Sequence, residues 1–121
     1  MDIIYNTTVT YIGSKVSDFI KSDMFIIFKE NVPQDLKEYC FLHNKNELTK
    51  DIEVDDILFL GENQYKVTSV GGYVNQNLRE LGHITLKFSG ETEDSVSGTL
   101  FLEKKEIVPP ENGTIIKIKR L

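Results

Sequence analysis

Short runs of β-branched and aromatic residues, separated by glycine, proline and polar clusters, set the pattern of this chain. Thr7-Thr8-Val9-Thr10-Tyr11-Ile12 reads as a strand that stops at Gly13, and residues 14–21 read as a short helical turn. Met24-Phe25-Ile26-Ile27-Phe28 is continuously apolar, which predicts a strand covered on both faces or lying in a closed barrel. Pro33 interrupts the pattern, residues 36–38 make one turn, and residues 39–43 extend as the next strand. Residues 57–60 and 65–70, joined by Gly61-Glu62-Asn63-Gln64, form the clearest hairpin. Residues 75–81 carry helical features, with Asn75 as N-cap, Leu78 and Leu81 three apart and Gly82 as the stop. Strands over 83–88, 98–102 and 114–118 complete the pattern. Eight strands and one short helix predict an all-β fold, a small closed or partly closed β-barrel.

Length and composition narrow this picture. A chain of 121 residues suits one domain, residues 1–121, with a single core. No apolar run approaches the ~20 residues of a membrane-spanning helix, so no direct membrane insertion is expected. Met1-Asp2-Ile3-Ile4-Tyr5 lacks the basic region and apolar core of a signal peptide, which points to a cytoplasmic protein. One cysteine and two histidines exclude an internal disulfide and a structural zinc site, so no metal and no cofactor is expected. The net charge of -5 works against nucleic acid, whose binding relies on cationic side chains. The acidic stretch 89–97, with Glu91, Glu93 and Asp94, reads as a solvated loop without calcium-loop spacing.

Candidate chemistry lies with the two histidines. His43 ends the strand over 39–43, and a neutral imidazole is nucleophilic near pH 7 without a separate base. A lone histidine is more commonly a hydrogen-bonded structural residue, and the same alternative holds for His83. Gly82, just before His83, allows another group to approach closely. Phosphate-binding loops of the GxxxxGK[ST] and GxGxxG types and the GxSxG elbow are absent. Strand alternation puts Cys40 on the face opposite His43, as a core residue, and puts Phe41 on the same face as His43.

Three stretches resemble a known family, the glucitol/sorbitol-specific IIA component of the phosphoenolpyruvate-dependent sugar phosphotransferase system (PTS). They are Glu38-Tyr39-Cys40-Phe41-Leu42-His43, then Val70-Gly71 with Asn77-Leu78-Arg79-Glu80-Leu81-Gly82-His83-Ile84-Thr85-Leu86, and the opening Ile4-Tyr5-Asn6-Thr7-Thr8-Val9-Thr10-Tyr11-Ile12-Gly13. The resemblance implies a phosphotransferase component that relays a phosphoryl group. Phosphohistidine on the carrier protein HPr donates to His43, which passes the group to the IIB component of a membrane transporter. On that reading His83, with Asn77 and Arg79, stabilises the phosphate, and Phe41 belongs to a docking surface. Arg79 is equally a surface partner for a carboxylate, and Asn77 a polar residue of the helix face. Two other readings stay open on the residues alone: a non-catalytic β-barrel module for a small ligand, and a metal-assisted hydrolase using His43, His83 and a carboxylate.

Overall fold

The apolar runs form strands because their branched and aromatic side chains pack on pleated surfaces, and the breaks fall at the glycines and polar clusters between them. The computed structural model describes residues 2–93 and 96–121. Asp94, part of the expected acidic loop, therefore lies outside the described residues. In chain order the elements are β1 (Asp2–Ile12), α1 (Val16–Ile20), β2 (Met24–Lys29), a 3-10 turn (Lys37–Tyr39), β3 (Cys40–His43), β4 (Glu47–Leu48), β5 (Ile57–Leu60), β6 (Asn63–Val70), α2 (Val74–Leu81), β7 (Ile84–Lys87), β8 (Thr99–Leu102) and β9 (Ile115–Arg120). The eight expected strands are all present. The two-residue β4 has no apolar run to announce it.

Eight strands close into a ring in the order β1-β3-β2-β7-β8-β6-β5-β9, and β9 returns to β1. The ninth, β4, pairs with β1 at Tyr5 and Asn6. Pairs β2/β3 and β7/β8 are parallel, whereas β5 and β6 form the expected antiparallel hairpin. The register of β1 shifts between Val9 and Tyr11, a bulge of the kind that bends a strand toward closure. Two short α-helices are present where one was expected. The second begins at Val74 and has no side-chain cap. Asn75 is not the N-cap: its Oδ1 accepts from Ile52 N at 2.7 Å, and so it fastens the segment before β5 to the helix. Gly82 ends the helix as expected, in the left-handed region at φ 64°.

The barrel interior is filled by side chains from every strand of the ring, including Tyr5, Phe25, Phe41, Leu58, Tyr65, Leu86, Leu100 and Ile118, with Val74 and Leu78 of α2 added to them. Phe41 is therefore a core residue and not a docking surface. It is 1% exposed and packs edge-on against Phe25 at 5.0 Å between ring centres, so the face it shares with His43 is the inner one. Cys40 and Leu42 point outward, yet they too are covered, in a second cluster with Phe28 that Tyr11, Ile26, Val32 and Tyr39 flank. Both faces of β3 are thus buried.

One ionic clamp holds the start of the ring. Arg120 donates from Nε to Asp56 Oδ1 and from Nη2 to Asp56 Oδ2, both at 2.9 Å, and Asp56 Oδ2 also accepts from Glu53 N at 2.8 Å. These bonds raise the Arg120 pKa further above its ordinary value.

Candidate functional site

His43 is wholly enclosed, at 0% exposure, where β3 lies between Val9 of β1 and Lys29 of β2. Both ring nitrogens have partners. Nε2 lies 2.7 Å from the carbonyl of Gly82, which can only accept, so Nε2 carries the proton. Nδ1 lies 2.8 Å from Thr7 Oγ1, and the Thr7 hydroxyl donates to its lone pair. Burial lowers the pKa of His43; the Gly82 carbonyl opposes that shift and the charge of Lys29 adds to it. The ring is neutral, in one tautomer, and held at both ends.

The supports of this ring come from three elements. Thr7, itself 0% exposed, also accepts from Asn46 N at 3.0 Å. The Asn46 side chain accepts from Tyr5 Oη at 2.9 Å and donates to the Leu78 carbonyl at 2.7 Å. Two carbonyls near the end of α2, those of Leu78 and Gly82, are thus tied to the His43 network. Gly82 is required here for two reasons. Its φ of 64° disfavours a side chain, and an added Cβ would stand 2.3 Å from Lys29 Cγ and 3.0 Å and 3.1 Å from His43 Cε1 and Nε2. The Nε2 edge of the imidazole therefore lies beneath Gly82 and beside the Lys29 stem. The close approach expected at Gly82 is made by His43 itself.

The remaining sequence candidates separate. His83 is half-buried against Phe28, with ring centres 4.4 Å apart. Its Nδ1 is buried with no partner, and burial lowers its pKa. It stands one peptide from the group that covers His43. Arg79 is exposed and donates to Asp51 at 2.9 Å, in a pair of the exposed kind that contributes little. The Asn77 side chain lies beside Gly98, and neither Asn77 nor Arg79 bonds to the imidazole of His43. Among the described residues no three His, Cys, Asp or Glu side chains are grouped to hold a metal ion, so the hydrolase reading lacks its constellation there.

This arrangement can do one kind of chemistry without additions: it presents a neutral imidazole whose two nitrogens are distinguished by what each one bonds. A family model described as the PTS system glucitol/sorbitol-specific IIA component matches residues 4–117. The chain belongs to that family. It is 44% identical over 122 residues to the PTS system glucitol/sorbitol-specific EIIA component of Shigella flexneri, across 98% of this chain and 97% of the relative. The component of the same description from Escherichia coli (strain K12) matches to the same extent. A solved structure, the PTS System IIA Component from Enterococcus faecalis V583, matches with a TM-score of 0.81 at 26% identity, over 92% of this chain and 96% of that one. Membership makes this chain a glucitol/sorbitol-type component of the phosphotransferase system, which implies interaction with other proteins of that system. Among the described residues no helix of this IIA protein is long and apolar enough to cross a membrane.

Sequence reasoning found both histidines and Gly82 but missed Thr7, Asn46, Tyr5 and Lys29. For Thr7 a signal existed: Tyr5, Thr7 and Val9 share the inward face of β1, so a hydroxyl falls in an apolar register. The others answer to pairings far away in sequence.

Proposed function

We propose that this IIA protein is a phosphoryl carrier that accepts phosphate from phospho-HPr on His43 and passes it to a cysteine of the IIB component. It works in the cytoplasm beside the membrane transporter. The observation that supports the reading is the neutral, single-tautomer imidazole of His43, within the stretch that resembles the family's phosphorylated motif. Phosphoryl transfer between nitrogens needs a lone pair, in-line approach and groups that stabilise spread negative charge; it requires no metal or nucleotide.

Nε2 is the nitrogen that takes the phosphate in this reading. Nδ1 faces Thr7 and the Asn46 turn inside the barrel, whereas the Nε2 edge is covered by Gly82 and the flexible stem of Lys29. The imidazole has no exposure at rest, so acceptance requires Gly82 and Lys29 to move aside. His83, with its unpartnered Nδ1, and the cationic Lys29 then flank the opening as candidate stabilisers of the phosphate. Incubation with phosphoenolpyruvate, enzyme I and HPr, followed by intact-mass measurement, tests the reading. One acid-labile phosphoryl group on the wild type and none on His43→Ala is the expected result. No mass gain on the wild type would sink the carrier and leave a barrel binding module.

A further inference from the structure

In the resting protein the wrong nitrogen holds the proton. Nε2–H donates to Gly82 O at 2.7 Å, so the nitrogen argued to attack phosphorus has no free electron pair. The pair is on Nδ1, directed at Thr7. Phosphorylation at Nε2 therefore needs the other tautomer, and the other tautomer needs an acceptor for Nδ1–H deep in the barrel.

The network around Thr7 supplies one. A hydroxyl donates or accepts by rotation. Thr7 Oγ1 already accepts from Asn46 N at 3.0 Å and has a second lone pair available once its own hydrogen turns away from His43. Tyr5 donates its own hydrogen to Asn46 Oδ1 at 2.9 Å, so its oxygen is left as an acceptor on the same inner face of β1 as Thr7. Reversing the Thr7 hydroxyl gives Nδ1–H an acceptor while the Asn46 N–H and the Asn46 Oδ1 keep the partners they have. Satisfaction in both directions matters because a single orphaned buried group costs about 1–3 kcal/mol.

We infer that Thr7 is a positioning residue that supports both tautomers of His43, donating to Nδ1 at rest, where the Gly82 carbonyl holds the proton on Nε2, and accepting from Nδ1–H when Gly82 releases Nε2 for phosphoryl transfer. The inference rests on the carrier reading and adds to it how the nucleophile is prepared. When the Gly82 cover lifts and admits water around the imidazole, one proton leaves Nε2 for that water and one from it settles on Nδ1. The Nε2 pair then forms the N–P bond while the donor's N–P bond breaks and returns its pair to the donor imidazole. Nδ1–H stays in place, held by Thr7 Oγ1, so the imidazole of His43 can depart as a neutral leaving group in the onward transfer.

Thr7→Val and Thr7→Ser test the inference, with HPr-dependent phosphorylation rates and nitrogen-15 spectra of the His43 ring as readouts. Thr7→Val is expected to lose roughly 10- to 100-fold in rate, the scale of a misplaced reacting group. Its resting Nε2–H should stay on the Gly82 carbonyl, its phosphorylated form should lose the protonated Nδ1, and Thr7→Ser should restore both rate and spectrum. A Thr7→Val protein that keeps the wild-type rate and a protonated Nδ1 in its phosphorylated form overturns the inference while His43 still takes phosphate. A wild type that takes none removes the carrier reading and this inference with it. If Thr7→Val does not fold, the wild type decides: its phosphorylated form must show a protonated Nδ1 at about pH 8, above the ordinary imidazole range. A bare Nδ1 there overturns it.

Discussion

Asp56 and His43 are polar residues that the fold encloses beside the same strand, Asp56 through Arg120, which pairs with Asp2 at the start of β1, and His43 against Val9 further along it. Around Asp56 every partner is fixed in direction. A guanidinium and a backbone amide only donate, the carboxylate only accepts, and the two-pronged geometry leaves one arrangement. Around His43 the direction is a choice. The imidazole and the Thr7 hydroxyl can each donate to the other or accept from it, while the Asn46 amide only donates to Thr7. The first set staples the barrel and the second can change state without changing shape. Burial alone therefore does not mark a polar residue as structural; reversibility of its partners separates the two.

Perturbing each set should have separable effects. Asp56→Ala removes two of the hydrogen bonds of Arg120 and strands the Glu53 amide, and the melting temperature is expected to fall by several degrees. The phosphorylation rate per folded molecule should be unchanged; a matching loss of rate would show that the two sets are coupled. Gly82→Ala strains a left-handed position and pushes on Lys29 and His43, for an expected loss of about 1–2 kcal/mol in denaturant unfolding. Its nitrogen-15 spectrum should lose the hydrogen-bonded Nε2–H, and an intact signal would mean that the helix end yields instead of the imidazole. His83→Gln leaves the His43 network whole, so stability should barely change while transfer from HPr slows by roughly tenfold. An unimpaired rate would remove His83 from the site.

The smallest effect is in pH. Burial holds both histidines below their ordinary pKa of 6.5, so the unfolded chain binds protons first as the pH falls. The stability present above about 6.5 should decline as the pH drops through that value toward the folded-state pKa values. A melting temperature that stays flat across this window would show that both imidazoles charge as readily inside the protein as outside.

How much of this was written in local sequence differs between fold and site. Alternation and turn residues mark all eight strands of the ring, the β5–β6 hairpin and the stop at Gly82, because each depends on neighbours a few positions away. Alternation also pairs Phe41 with His43 on one face, but it does not say which face is inner. In a closed ring the inner face is the dry one, and the covering of Cys40 and Leu42 by Val32 and Tyr39 buries the outer face as well. Asn75 was misread because a cap and a loop fastener use the same side-chain oxygen. The partners of His43 lie 36 and 39 residues away, at Thr7 and Gly82, so no window of local pattern contains them.

The seam between β1 and β9 joins the first strand of the ring to the last. Such a pairing closes the longest loop in the chain, and its entropic cost falls due before the contacts of the seam are made. Closure should thus be the slow step of folding, on a scale of roughly milliseconds to seconds. Until it happens, β5 and β1 expose unpaired backbone along their β9 sides, edges of the kind that recruit other chains. The same strand that carries Thr7 to His43 therefore also sets when the protein becomes safe from its own copies.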